Sequence, residues 1–117
     1  MGIRVVNFYK TVSEKCPVSE FLIALPSKER RKVVWVLKLL EDLEFIPKEY
    51  WKKLKPSDIW ECRIKFGSNT YRIFGFFMGK DIVLTHGIKK KTQKTSKVEI
   101  RKAEKYKTEY MRHRRKK

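Results

Sequence analysis

Residues 59–73 read Ile59-Trp60-Glu61-Cys62-Arg63-Ile64-Lys65-Phe66-Gly67-Ser68-Asn69-Thr70-Tyr71-Arg72-Ile73, and their pattern predicts a β-hairpin. From Trp60 to Phe66 apolar and charged residues alternate, which is typical of a half-buried strand. Gly67-Ser68 suits a two-residue turn with glycine at its first central position. The strand that returns from this turn is expected over residues 70–77.

The hairpin register predicts that two arginines face each other. If Phe66 pairs with Asn69, Arg63 lies opposite Arg72, and such like-charge pairs are unfavourable by about 0.2–1 kcal/mol. Glu61 lies diagonal to Arg72 on the same face, and its negative charge can offset the repulsion between the two arginines. The pattern fits an exposed Arg-Glu-Arg network and fits equally two guanidinium groups that grip a phosphate while Glu61 orients them. Lysines nearby favour the phosphate interpretation.

The other elements follow from periodicity and from helix start and stop signals. The predictions are a first strand at residues 3–8, a short helix from Pro17 to before Pro26, a helix N-capped by Ser27 with an apolar stripe at residues 33–43, a basic connector at residues 52–56, a strand at residues 81–88, and a helix opened by the capping box Ser96-x-x-Glu99. The expected order is β-α-α-β-β-β-α. We therefore predict an α+β fold whose twisted antiparallel sheet packs against helices.

Length and charge restrict the class of protein. A chain of 117 residues suits a single domain, residues 1–117, whose basic tail at 112–117 we expect to be frayed. The formal net charge is +17, of which +11 falls within residues 89–117. At this density of positive charge the expected partner is a polyanion, and nucleic acid is the commonest polyanion that proteins bind.

Candidate contacts to phosphates are the basic residues near the hairpin and after the last strand. They are Lys55, Lys65, Lys89, Lys90, Lys91 and Lys94. A lysine run is usually a solvated surface. Because this one lies immediately after a sheet edge, beside the predicted arginine face, backbone phosphate contacts are the better interpretation.

His86 is the candidate proton-transfer residue, since its unperturbed pKa lies near neutrality. Taken alone, a histidine within a strand more often has a structural role. Tyr71, Tyr106 and Tyr110 could stack on bases or place a hydroxyl near a phosphate, but their spacing favours packing. The chain lacks the carboxylate cluster of a two-metal nuclease, so we expect neither a metal nor a cofactor.

Two cysteines without a C-x-x-C pair indicate neither a zinc site nor a disulfide framework. No continuous apolar segment indicates a signal peptide or a membrane span. We therefore expect a protein of the reducing cytoplasm that does not associate with membranes.

Three motifs resemble the RelE-like toxin superfamily, and most closely its HigB branch with the phage-associated toxins grouped there. They are Trp60-Glu61-Cys62-Arg63, Tyr71-Arg72-Ile73, and the His-Gly-hydrophobic-Lys-Lys-x-Thr-Gln-Lys-Thr string at residues 86–95. The last is the most specific. Cys62 departs from the aliphatic residue that the family usually has, which is a small change on the core face.

The resemblance implies a toxin of a type II toxin–antitoxin system. Such toxins are mRNA interferases, dependent on the ribosome or active on free mRNA, and a neighbouring gene encodes the antitoxin, here expected to be a HigA-like helix-turn-helix protein. Carried onto this chain, the resemblance implicates Arg63, Arg72, His86 and the lysines at 89 and 90, with Glu61 in support; of the two lysines, we assign Lys90 to catalysis. The lysines at 55, 65, 89, 91 and 94 would bind RNA, and family branches divide the acid and base roles differently, so Tyr106 or Tyr110 remains an alternative.

The hypothesis from sequence is therefore a metal-independent endoribonuclease that inhibits translation. A basic concave sheet face would stabilise the phosphate while the ribose 2'-hydroxyl attacks it. Two alternatives belong to other classes: a non-catalytic nucleic-acid-binding module, and a ParE-like inhibitor of DNA gyrase.

Overall fold

A five-stranded mixed sheet lies between two helices on one face and a third helix on the other. The computed structural model describes residues 2–90 and 95–115. In chain order the elements are β1 (Val6–Phe8), α1 (Pro17–Ile23), α2 (Ser27–Asp42), β2 (Trp51–Lys53), β3 (Trp60–Phe66), β4 (Asn69–Met78), β5 (Asp81–Lys90) and α3 (Lys97–Arg115). The predicted α+β class is confirmed, with one strand more than expected.

The strand order is β1-β5-β4-β3-β2, and β1 runs parallel to β5 while the other neighbours are antiparallel. The expectation of an antiparallel sheet is therefore wrong at this edge. Hairpin turns force β3, β4 and β5 to alternate in direction. No such turn joins β1 to β5, which are far apart in sequence, so their relative direction is set by packing.

The predicted basic connector at residues 52–56 partly forms the edge strand β2. Trp51 and Lys53 pair with Cys62 and Trp60 of β3. A strand of three residues is too short to show a period in the sequence, which is why it was missed.

The first face of the sheet carries the larger core, beneath α1 and α2. From α2, Val33, Val36 and Leu40 are fully buried against sheet residues such as Ile73. Val34 was assigned to the same stripe but is about half exposed. Pro26, not Ser27, occupies the N-cap position, and the helix ends at Asp42, somewhat before Phe45.

Gly87 lets α1 approach this face closely. A Cβ atom at Gly87 would lie 2.6 Å from the ring of Phe21, so the ring or the helix that carries it would have to shift. The glycine of the His-Gly-hydrophobic motif is thus required by packing. At the hairpin turn, Gly67 has φ of 61°, as the turn prediction requires.

The second face of the sheet is covered by α3. Ala103 is completely buried against Phe74 and Phe76 of β4, and Tyr106 and Tyr110 pack around them. The predicted packing role of these tyrosines is confirmed. The helix continues through Arg115, and residues 116–117 lie outside the described part. The fraying expected for residues 112–117 stays a prediction.

Candidate functional site

Glu61 holds two arginines together on the face of the sheet that α3 covers. The predicted register is confirmed, because Arg63 pairs directly with Arg72 across β3 and β4. Arg63 Nη2 donates to Glu61 Oε1 and Arg72 Nη1 donates to Glu61 Oε2, both at 3.0 Å. The carboxylate thus offsets the repulsion between two guanidinium groups, and the cluster keeps a net positive charge.

Thr95, from the segment before α3, closes over this cluster. Its hydroxyl donates to Glu61 Oε2 at 2.5 Å and accepts from Arg72 Nη1 at 2.9 Å. Glu61 and Arg72 are each only 1% exposed, whereas the side chain of Arg63 is 30% exposed. The expectation of an open basic face is therefore wrong: α3 and its leading segment cover most of it, and Arg63 is the member of the trio that reaches solvent.

A β-bulge brings His86 onto the same face. Phe74 pairs with His86 but Gly75 pairs with Leu84, so Thr85 is an extra residue in β5. Without it, the alternation of side chains would place His86 on the α1–α2 side of the sheet. With it, Arg72, Phe74 and His86 share one face.

His86 is buried and hydrogen-bonded at both ring nitrogens. Nε2 lies 3.0 Å from Glu99 Oε1, and Nδ1 lies 3.0 Å from the hydroxyl of Thr85. Because a carboxylate only accepts, Nε2 donates to Glu99. The Thr85 hydroxyl has one hydrogen, which is shared between His86 Nδ1 and the main-chain oxygen of Phe74 at 3.2 Å. Burial lowers the pKa of His86 below 6.5, and Lys102 lowers it further, while Glu99 opposes both.

Glu99 does not complete the predicted capping box. Ser96 caps α3 by accepting from the amide of Val98 at 3.1 Å, so the N-cap prediction is confirmed. The carboxylate of Glu99 instead contacts His86. Hydrogen bonds that involve Thr95 and Glu99 therefore attach the start of α3 to the candidate site.

Aromatic rings surround His86 on the α3 side. The ring of Phe74 stacks on it with centroids 4.9 Å apart, and Tyr106 meets it edge-on at 5.8 Å. Tyr106 also contacts Tyr9, whose hydroxyl donates to Glu109 of α3 at 2.6 Å. Burial raises the pKa of Tyr9, and Glu109 reinforces that shift.

The predicted lysines are divided between the two faces. Lys65 and Lys90 both pair with Thr70, so they share the face of Arg63 and Arg72. Lys89 lies on the opposite face, with Nζ 6.0 Å from the centroid of the Tyr71 ring. The expectation that Lys89 lies beside the arginines is wrong, because neighbouring residues of a strand point to opposite faces.

Lys55 is exposed in the loop between β2 and β3 and lines a pocket together with Arg63. Lys91 and Lys94, which are predicted to bind RNA, lie outside the described residues. A second buried contact occurs away from the site, where the hydroxyl of Tyr71 donates to Glu29. Burial raises the pKa of Tyr71 to about 12, and Glu29 contributes to that shift.

Thr95 and Glu99 were missed by the sequence analysis as members of the site. Thr95 ends the most specific motif, a position that could have suggested it. Glu99 was assigned to helix capping, and no local signal indicates that its carboxylate reaches a strand thirteen residues earlier.

Within residues 2–90 and 95–115, no group of three or more histidine, cysteine, aspartate or glutamate side chains could hold a metal ion. Cys16 and Cys62 are free thiols, and burial raises the pKa of Cys62. No helix among the described residues combines the length and the hydropathy needed to cross a bilayer.

A comparison with family models matches residues 20–108 to a family described as "Phage derived protein Gp49-like (DUF891)". The matched range contains the trio of Glu61, Arg63 and Arg72, the bulge in β5 and the first half of α3. No curated protein gives a significant match to the chain.

Proposed function

Because this chain belongs to the Gp49-like family of phage-derived proteins, a toxin-like family related to the RelE and HigB toxins, we propose that it is the toxin of a type II toxin–antitoxin pair. Within that group we assign it to the HigB branch, on the motif at residues 86–95. We further propose that it inhibits translation as a metal-independent endoribonuclease acting on mRNA.

The convergence of Arg63 and Arg72 on one carboxylate is the observation that carries the proposal. A site that gathers two guanidinium groups around an anion also suits a phosphodiester. In the proposed reaction the ribose 2'-oxygen bonds to phosphorus and the bond to the 5'-oxygen breaks. Arg63 and Arg72 stabilise the charge that develops on the phosphate oxygens.

Proton transfer is assigned to His86 and Lys90. One group removes the proton of the 2'-hydroxyl and another protonates the departing 5'-oxygen. His86 supports the base role because its lowered pKa keeps the ring neutral near pH 7. Lys90 lies on the same face and is partly exposed, which suits the acid role or a phosphate contact.

Access to Arg72 and His86 requires the start of α3 to move. Thr95 and Glu99 occupy the polar atoms that a phosphate would contact. An RNA phosphate would replace the Glu99 carboxylate beside His86, one anion in place of another. The proposed substrate therefore competes with the leading segment of α3 for the same groups.

Cleavage of a free RNA and of an mRNA in a translation extract, both in excess chelator, tests the proposal. Arg63→Gln should slow cleavage by about 100-fold or more, because it removes one charged donor from the transition state. Arg31→Gln is the matched control, since Arg31 is exposed on α2 at the opposite face. Activity lost to the chelator would reject the metal-independent mechanism, and cleavage only in the extract would indicate ribosome dependence.

The proposed partners are mRNA, free or bound to the ribosome, and a HigA-like helix-turn-helix antitoxin. Lys55, Lys65 and Lys90 would contact RNA phosphates near Arg63, whereas Lys89 would do so only from the other face. For the antitoxin, expression of the chain alone should arrest growth, and co-expression with the product of the adjacent gene should restore it. Continued arrest with that product present would contradict the pairing.

The burial of Arg72 and His86 favours a second candidate, a nucleic-acid-binding module without catalysis. In that case the Arg-Glu-Arg trio stabilises the sheet, and exposed lysines alone bind phosphates. This candidate predicts salt-dependent RNA binding with no new RNA ends after prolonged incubation. Detection of ends with 2',3'-cyclic phosphate would exclude it.

A further inference from the structure

A pocket of about 680 Å³ lies at the free edge of β2, beside Arg63. Its volume falls in the range of about 300–1,000 Å³ that is usual for small-molecule sites. Trp51 and Trp60 form part of its lining, with their rings stacked at a centroid distance of 5.7 Å and an angle of 13°. Part of the pocket wall next to the candidate site is therefore aromatic, and Trp60 is the more exposed of the two rings.

Trp51 lines this pocket and carries a hydrogen-bond donor that no described residue satisfies. The residue is 3% exposed, and its indole Nε1 has no hydrogen-bond partner among the described residues. A buried donor without an acceptor costs free energy, so native proteins rarely leave one. An acceptor atom on a ligand would satisfy it once the side chains that cover Nε1 shift aside.

The rim of the pocket is cationic. The basic residues that line it are Lys48, Lys52, Lys53, Lys55 and Arg63, and no carboxylate of the described residues belongs to the lining. Lys53 is paired with Asp58 at 3.6 Å, but Lys52 and Lys55 are exposed to solvent. An anionic ligand is therefore favoured.

Arg63 connects this pocket to the Arg-Glu-Arg trio. It is the one member of the trio with a substantially exposed side chain, and both Arg63 and Thr95 line the pocket wall. A ligand in the pocket thus lies against the point at which the trio meets solvent.

We propose that the pocket binds one nucleotide of single-stranded RNA, with the base in the aromatic part and the adjoining phosphate at the lysines and Arg63. The indole of Trp51 donates to a carbonyl oxygen or ring nitrogen of the base, which makes the pocket sensitive to base identity. Aromatic rings with basic residues around them are the usual means of holding unpaired bases. The assignment to RNA rests on the proposed function, but the binding itself does not depend on cleavage.

An acidic peptide is the competing occupant, since it too would be drawn to the lysines. The aromatic lining favours a base, because an extended acidic chain has no flat group to lay against a tryptophan ring.

Binding is measured by tryptophan fluorescence in a Trp35→Phe background, which removes the exposed tryptophan on α2 and leaves Trp51 and Trp60 as reporters. The full chain is titrated with the 5'-monophosphates of adenosine, guanosine, cytidine and uridine, with inorganic phosphate and with tetraglutamate. We expect nucleotides to bind more tightly than phosphate, and we expect at least about a threefold difference between the best and worst base. Equal affinity for phosphate and all nucleotides, or binding of tetraglutamate alone, would overturn the proposal.

Two sets of variants assign the binding to the pocket. Trp51→Phe retains a ring but removes the indole donor, and it should reduce both the affinity for the preferred base and the difference between bases. If Trp51→Phe fails to fold, the pair Lys52→Ala/Lys55→Ala, at exposed positions, should weaken all nucleotides at least about tenfold. The pair Lys28→Ala/Lys38→Ala, exposed on α2, is the matched control and should leave binding unchanged.

The outcomes separate this inference from the proposed enzyme activity. Base-dependent binding that needs Trp51, in a protein that never cuts RNA, would support the pocket and reject the ribonuclease. Cleavage that continues while no nucleotide binds would support the ribonuclease and reject the pocket. In an active enzyme, Trp51→Phe should also redistribute the mapped cleavage sites.

Discussion

Glu61 is the residue on which the candidate site depends, because one carboxylate offsets two guanidinium groups that the hairpin register places face to face. Its oxygens accept from Arg63, Arg72 and Thr95. The environments of the two arginines differ sharply. Arg72 is buried with Glu61, whereas Arg63 is partly exposed.

This difference predicts unequal effects on stability. Arg72→Ala should lower the free energy of unfolding by about 3–5 kcal/mol, because the buried carboxylate of Glu61 loses its buried charge partner. Arg63→Ala should cost about 1 kcal/mol or less, since water can solvate Glu61 from that side. Urea unfolding of both variants checks this, and equal losses would show that Arg72 is not buried as described.

The cleavage activity of Arg72 variants is therefore informative only under conditions in which the variant protein is shown to be folded. Arg63→Gln is the cleaner probe of catalysis, because its expected cost to folding is small. Arg72→Lys keeps the charge but loses the planar fork, so it tests whether bidentate geometry is required.

His86 should make stability depend on pH. Its pKa lies below 6.5 in the folded protein, mainly through burial, so the unfolded chain binds the proton more readily. Stability then falls as the pH drops through the region around and below 6.5. We expect a lower free energy of unfolding at about pH 5.5 than at about pH 7.5, and a smaller difference in His86→Gln.

The matched control for this measurement is His113→Gln, at an exposed position near the end of α3. That variant should retain the full decrease between the two pH values. If His86→Gln and His113→Gln behave alike, the pH dependence has another origin.

Among the elements, β5 and α3 together define the surroundings of His86. The bulge at Thr85 turns the histidine toward α3, and α3 supplies Glu99 to its Nε2 atom. The same helix packs through Ala103, whose small side chain lets the helix lie close to Phe74 and Phe76.

Overpacking at Ala103 should loosen this contact. Ala103→Leu inserts methylene groups at a completely buried position and should cost about 1–3 kcal/mol. Lys105→Leu places the same residue at an exposed position of α3 and should change stability by less than about 0.5 kcal/mol. Urea unfolding measures both, and a tolerated Ala103→Leu would contradict the close packing of α3 on the sheet.

At the scale of the whole molecule, the dominant property is charge. The formal net charge of +17 is concentrated toward the C-terminal third of the chain, while the sheet contributes Lys52 and Lys65 on the face of the Arg-Glu-Arg trio. Such a charge attracts nucleic acid over distances comparable with the Debye length and gives affinity without sequence preference.

RNA binding should accordingly weaken steeply with salt. If about four phosphates are contacted, the logarithm of the association constant should fall with a slope near −3 against the logarithm of salt concentration. Between about 50 and 200 mM salt the loss would be about 50-fold. Titration of a single-stranded RNA at several salt concentrations measures the slope, and a slope near zero would contradict an electrostatic interface.

Several features of the fold follow from local patterns in the sequence. The alternation of apolar and charged residues along 60–66 and a two-residue turn that begins with glycine specify the hairpin. The length of that turn alone places Arg63 opposite Arg72. The positions of α1, α2 and α3 follow from prolines, caps and apolar spacing. These signals act within a few residues, so they can be read without knowledge of the folded chain.

Contacts between residues far apart in the chain could not be predicted from local sequence patterns. The alternation rule by itself would place His86 beneath α1 and α2, and only the pairing of β5 with β4 reveals the bulge that reverses it. Likewise, the sequence pattern predicts a capping role for Glu99, and only the packing of α3 on the sheet places its carboxylate at His86. The parallel direction of β1 and the three residues of β2 have no periodic signal of their own.

The amino-acid pattern thus established which charged groups the hairpin aligns, together with the excess of positive charge that attracts a polyanion. Folding established which of those groups remain accessible: α3 buries Arg72 and His86 and leaves Arg63 beside the Trp51–Trp60 pocket. The reason is physical. Strand register depends on neighbouring residues, whereas burial depends on how elements far apart in the chain pack against one another.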